Sequence, residues 1–189
     1  MHVISDNKFS YHFEEKFLFS KLIKIFLSEF PLDRNITFLC IGVERSAGDC
    51  FGPLTGTLMK QMMVPNVIGS LDNPIHAKNL LDVYNTLEND RFIVAIDASL
   101  GGTKELGHMV VKKSPIHPGK AMGRELPSVG DISVILNVNI GGIANYLLLQ
   151  NSSLYMVWKG ANTLARSIAT ALYIMKKEQQ KSTAPQPAF

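Results

Sequence analysis

Two aspartates stand at points where an apolar run gives way to a polar loop or turn. Asp49 lies in the loop that follows the run Ile36-Thr-Phe-Leu-Cys-Ile-Gly42, within Val43-Glu44-Arg45-Ser46-Ala-Gly48-Asp49. Asp97 ends the run Phe92-Ile-Val-Ala-Ile-Asp97. Two carboxylates held close together cannot both ionise cheaply, so they share a proton and titrate as a unit. One can then take a proton from water while the other polarises a carbonyl oxygen, which is general acid–base hydrolysis. Asp49 falls where a helix is expected to start, and a helix dipole favours its ionised form. Asp97, at the end of a buried strand, is pushed toward its protonated form by desolvation. Asp49 is therefore assigned as the base and Asp97 as the proton holder. Each also has a structural reading. Asp49 could cap its helix, and Asp97 could bind the amides of the 99–102 turn.

Other chemistries fit poorly. A phosphate loop needs Gly-x-x-x-x-Gly-Lys-Ser/Thr, but here five residues separate Gly42 from Gly48 and Asp49 stands in place of the lysine. There is no Gly-x-Gly-x-x-Gly, no Gly-x-Ser-x-Gly elbow and no His-Glu-x-x-His. The two cysteines, Cys40 and Cys50, match no zinc or redox spacing. Cys40 reads as a core residue, and Cys50 is a minor site candidate because it adjoins Asp49. A third constellation lies in the glycine- and proline-rich loop over 115–127, where His117, Lys120 and Arg124 could hold a substrate. His76 reads as structural. Asp131, Asn137 and Asn139 flank a strand and could line a crevice.

These residues must be positioned by a regular scaffold. The first eight residues read as frayed and 10–30 as a helix stopped by Pro31. Strands are expected over 36–42, 66–70, 92–97, 107–112 and 131–138. Helices are expected over 51–63, 75–88, 141–150 and 153–177. The short turn at Gly101-Gly102 favours an antiparallel pairing of the strands on either side of it. Alternating strands and helices with continuous apolar strands indicate a three-layer α/β domain over 1–178, its sheet mostly parallel. Residues 179–189 read as a disordered tail. If the first and third strands are neighbours, Asp49 and Asp97 face each other across the crevice where strand order reverses.

Composition bounds the function. The chain has 189 residues, 46% hydrophobic and 19% charged, with a net charge of +3. That is enough for one full core and ordinary for a globular protein. The basic residues are scattered, so no nucleic-acid footprint is expected. No run reaches the ~18 apolar residues of a membrane helix, and the 17–27 stretch, broken by Lys21 and Lys24, reads as an amphipathic helix rather than a signal peptide. With so few cysteines, a reducing cytoplasm is the expected setting.

Several motifs in order then resemble a known family. These are Cys40-Ile-Gly-Val-Glu-Arg-Ser-Ala-Gly-Asp-Cys-Phe-Gly-Pro-Leu-Thr-Gly56, Leu71-Asp-Asn-Pro-Ile-His-Ala77, Ala95-Ile-Asp-Ala-Ser-Leu-Gly101, and Pro118-Gly-Lys through Leu126-Pro-Ser-Val-Gly-Asp131. Over residues 36–147 the chain resembles the YyaC-type sporulation proteins. That family is similar to the germination protease of spore-forming bacteria, which degrades small acid-soluble, DNA-protecting spore proteins. The germination protease uses two aspartates, on loops resembling Gly48-Asp49-Cys50-Phe51-Gly52-Pro53 and Ile96-Asp97-Ala98.

The resemblance implies a phosphorylase/hydrolase-like αβα sandwich with about five strands, shared with hydrogenase maturation proteases. It implies an aspartate-dependent peptidase acting on spore proteins in the mother cell or forespore, with Asp49 and Asp97 catalytic and no cofactor. Hydrogenase maturation proteases bind nickel through acidic residues and a histidine; only His117 offers a loose counterpart, and no metal is expected. The germination protease is made as a longer zymogen, whereas the first 35 residues here read as a packing helix rather than a prosegment. Two other readings stay open: a protease-fold binding or regulatory protein without turnover, and a metal-dependent maturation protease. A homo-oligomer also remains open.

Overall fold

The computed structural model of the protein describes residues 3–5, 8–87, 90–118 and 128–183. Its elements in chain order are β1 (Val3–Ser5), β2 (Lys8–His12), α1 (Leu18–Glu29), β3 (Ile36–Cys40), α2 (Phe51–Gln61), β4 (Val67–Ile68), α3 (Leu80–Asn85), β5 (Phe92–Gly101), β6 (His108–Lys112), β7 (Ile132–Ile140), α4 (Asn145–Gln150) and α5 (Leu154–Thr183). Among the described residues no helix is long and apolar enough to cross a membrane.

The strands form one seven-stranded sheet in the order β1-β2-β6-β7-β5-β3-β4. The four strands β4, β3, β5 and β7 run parallel, and β6, β2 and β1 add an antiparallel wing. The α/β sandwich is as expected; the sheet is wider.

β3 reads as an unbroken apolar run because both of its faces are covered. Phe38 and Cys40 join the core beneath α1, α2 and α5, while Leu39 and Ile41 face the opposite side with Ile75, Leu80, Ile116 and Val129. In α5, Val157, Ala161, Leu164, Ala165, Ile168 and Ala171 are all fully buried. Their spacing of three and four residues draws one stripe down the helix. Each large side chain in it contributes about 1.5–3 kcal/mol by leaving water. Along α1, Leu18, Leu22, Ile25 and Phe26 make the matching stripe.

The amino-terminal segment departs from the expected frayed end and helix. Lys8–His12 is a strand paired antiparallel with His108–Lys112. Phe9 and Tyr11 alternate onto the core face, and the helix begins only at Leu18. A pairing made across about a hundred residues is invisible to local periodicity. The second departure is β6, which pairs with β7 and β2 rather than with β5. β7 inserts between the two strands that the Gly101-Gly102 turn connects. The third is α5, which runs through Thr183, five residues into the expected tail. Gln179 donates its Nε2 to the Leu32 carbonyl at 3.1 Å and ties this last turn to the domain.

Candidate active site

β3 stops at Cys40 while its neighbour β5 continues to Gly101. A crevice therefore opens past Cys40. β4 lies on one side of β3 and β5 on the other, so this is the reversal of strand order at which α/β sheets bind ligands. Cys40 is opposite Ile96, and the Ile41 amide donates to the Ile96 carbonyl at 2.8 Å. Asp97 is the next residue, the first of β5 beyond the β3 ladder. It lies mid-strand rather than at a strand end, because β7 continues the pairing with Ile135 opposite it. Its Oδ1 accepts the Ala98 amide at 2.8 Å, not an amide of the 99–102 turn.

The loop after β3 delivers the second carboxylate. Gly42 has φ +142°, and a Cβ there would lie 1.9 Å from the Asp49 carbonyl oxygen. Only glycine permits this closure. The Val43 amide then donates to Asp49 Oδ2 at 3.1 Å. At Gly52 a Cβ would lie 2.1 Å from the Ile41 carbonyl oxygen, so the start of α2 rests directly on the end of β3. Helix α2 begins at Phe51, and its N-cap position, Cys50, makes no side-chain cap bond. Asp49 is not a helix cap.

Both carboxyls titrate above the ordinary range. Burial raises Asp49, opposed by the Val43 amide and by the charges of Arg45 and His76. Asp97 is raised much further, by burial and then by the negative charge of Asp49, with the Ala98 amide opposing. Asp97 therefore lies within reach of the Asp49 charge.

A cavity of about 320 Å³ opens on the Asp49 side. Arg45, Ser46 and Asp49 line it from the loop, His76 and Lys78 from the segment before α3, and Leu149 from α4. His76 reads as structural from sequence, yet it stands at this wall. Its amide donates to Asn79 Oδ1 at 2.8 Å and its Nδ1 accepts the Lys78 amide at 3.3 Å. A signal was present in sequence, since His76 falls in one of the ordered motifs, but nothing local linked it to Asp49.

The other sequence candidates lie elsewhere. His117 is exposed and is not among the described residues lining the cavity. Lys120 and Arg124 fall outside the described residues. Asp131 accepts the Ile93 amide at 2.7 Å at the opposite end of the sheet, where it anchors the start of β5. Asn139 donates to the Leu148 carbonyl at 2.9 Å and holds α4. Cys50 is buried, its thiol donates to the Ala47 carbonyl at 3.2 Å, and burial and Asp49 both raise its pKa. It is a structural thiol rather than a thiolate nucleophile.

Residues 6–167 match a family described as a protein of unknown function, DUF1256. The chain belongs to the DUF1256 family. It is 39% identical over 141 residues to the uncharacterized protein YyaC of Bacillus subtilis (strain 168), covering 72% of this chain and 69% of that one. Among solved structures, it resembles the [NiFe] hydrogenase maturation protease HycI from Thermococcus kodakarensis KOD1, with a TM-score of 0.55, 18% identity, and coverage of 79% of this chain and 99% of that one. This DUF1256 chain and HycI share a fold. The expected kinship and fold both hold.

The fold likeness to a [NiFe] hydrogenase maturation protease raises the question of a metal here. Among the described residues of the DUF1256 domain, no group of three His, Cys, Asp or Glu side chains is placed to hold one.

Proposed function

We propose that this protein is an aspartate-dependent peptidase. The observation that carries the reading is the meeting of the Asp49 loop and Asp97 at the strand-order switch, where Asp97 follows directly on the last β3 pairing and burial and the Asp49 charge raise its carboxyl. Asp49 takes a proton from a water molecule, whose oxygen attacks the scissile carbonyl carbon. Asp97 gives its proton to the carbonyl oxygen, completing a neutral tetrahedral diol. On collapse the C–N bond breaks, the amine leaves with the proton that Asp49 holds, and a diol proton returns to Asp97. The Val43 amide and the charges of Arg45 and His76 oppose the rise that burial causes at Asp49, which favours it as the base. The fold shared with HycI, a maturation protease, supports peptide hydrolysis over other uses of a carboxylate pair. The resemblance to sporulation proteins makes small acid-soluble spore proteins the substrate to try first, in the cytoplasm of a sporulating cell. Asp49→Asn and Asp97→Asn should each abolish cleavage of those proteins without lowering the melting temperature. Cleavage retained in both variants would overturn the reading.

A further inference from the structure

Ser46 is 5% exposed and lines the cavity beside Asp49. Its Oγ is buried and, among the described residues, has no hydrogen-bond partner. A buried hydroxyl without a partner is a cost that folded proteins generally avoid, and each exception calls for a reason. Helix capping is not the reason, because α2 starts five residues later and has no side-chain cap. Its backbone carbonyl is already used by the Cys50 amide at 2.9 Å. Asp49, three residues away, spends Oδ2 on the Val43 amide rather than on this hydroxyl. Two cationic donors of the cavity are poorly fixed. Arg45 is 72% exposed and reaches Glu44 only at 3.9 Å, and Lys78 is exposed.

We propose that Ser46 is the hydrogen-bond donor that binds the substrate's carbonyl oxygen beside the carboxylate pair. This rests on the peptidase reading. A serine side chain reorients about one single bond between staggered rotamers, so Oγ can turn to an oxygen arriving in the cavity. The pair supplies a base and a proton, and Ser46 supplies a positioned neutral donor where charge gathers on the carbonyl oxygen. The cost of leaving the hydroxyl unpartnered in the free protein is relieved when substrate binds.

The test compares wild type, Ser46→Ala and Ser46→Thr, using a small acid-soluble spore protein as the probe. Ser46→Ala should lower kcat/KM by about 10²–10³-fold, chiefly through kcat, with the melting temperature unchanged or raised because no native bond is lost. Ser46→Thr, which keeps the hydroxyl, should recover part of that loss. Cleavage by Ser46→Ala within twofold of wild type would overturn the assignment. So would a fall in melting temperature that accounts for the lost activity. If wild type binds the probe without cutting it, the peptidase reading fails and calorimetry decides on Ser46: at least tenfold weaker binding by Ser46→Ala upholds the donor, and equal binding overturns it. If wild type neither cuts nor binds the probe, both proposals fall.

Discussion

The Val43 amide donates to Asp49 Oδ2 at 3.1 Å, folding the loop after β3 back onto its own aspartate. This bond fixes one oxygen of the carboxylate and opposes the rise in pKa that burial causes. It exists because Gly42 lets the backbone pass within contact of the Asp49 carbonyl. The motif glycine and the candidate base are thus one construction.

That dependence gives the first prediction. Gly42→Ala places a Cβ 1.9 Å from a backbone oxygen at a φ that L residues rarely adopt. The variant should lose about 3 kcal/mol, the upper end of local backbone strain, measured by denaturant unfolding. Hydrogen exchange at the Val43 amide should also speed up. Unchanged exchange would separate the glycine from the placement of Asp49.

A second prediction concerns pH. The folded-state pKa of Asp97 is raised, so the folded chain holds a proton that the unfolded chain releases above the ordinary aspartate pKa near ~4. Over that window the native state binds more protons, and stability falls as pH rises. Asp97→Asn carries no such proton. Its melting temperature should match wild type at about pH 4, then exceed it increasingly as pH rises. A gap that does not change with pH would contradict the shift.

His76 supplies a third. Its charge helps hold the Asp49 pKa down, so His76→Ala should let that pKa rise. The acid limb of the pH–rate profile should move to higher pH, while activity on the plateau falls much less than in Asp49→Asn. An acid limb that stays in place would remove His76 from the electrostatics of the pair.

Asp131→Ala is the contrasting case. Its carboxylate accepts the Ile93 amide at 2.7 Å, far from the crevice. Loss of a hydrogen bond to a charged group should cost about 1.5–3 kcal/mol, seen in chemical denaturation. The folded fraction should keep full activity. Lost activity with intact stability would instead give Asp131 a place in the chemistry.

Much of this arrangement was legible in the residues. The expected strands 36–42 and 92–97 read as apolar runs, and the glycine-punctuated loop between 42 and 52 marks a turn. The order β4-β3-β5 that brings Asp97 beside the Asp49 loop is a common one for such folds. The β2–β6 pairing was not legible, because residues 8–12 meet 108–112 only through the tertiary fold. Nor was the insertion of β7 between β5 and β6, since a short turn normally joins neighbours. The place of His76 at the cavity wall was not legible, because it depends on the Ile41–Ile75 bridge, which draws that segment alongside the end of β3. The unpartnered hydroxyl of Ser46 becomes visible only in three dimensions.

The most direct measurement is incubation of the purified protein with small acid-soluble spore proteins, wild type beside Asp49→Asn, with peptide-bond cleavage followed by mass spectrometry. The aspartate pair predicts discrete fragments from wild type and none from Asp49→Asn at equal folded concentration. Intact substrate with wild type, or the same fragments with both proteins, would contradict it.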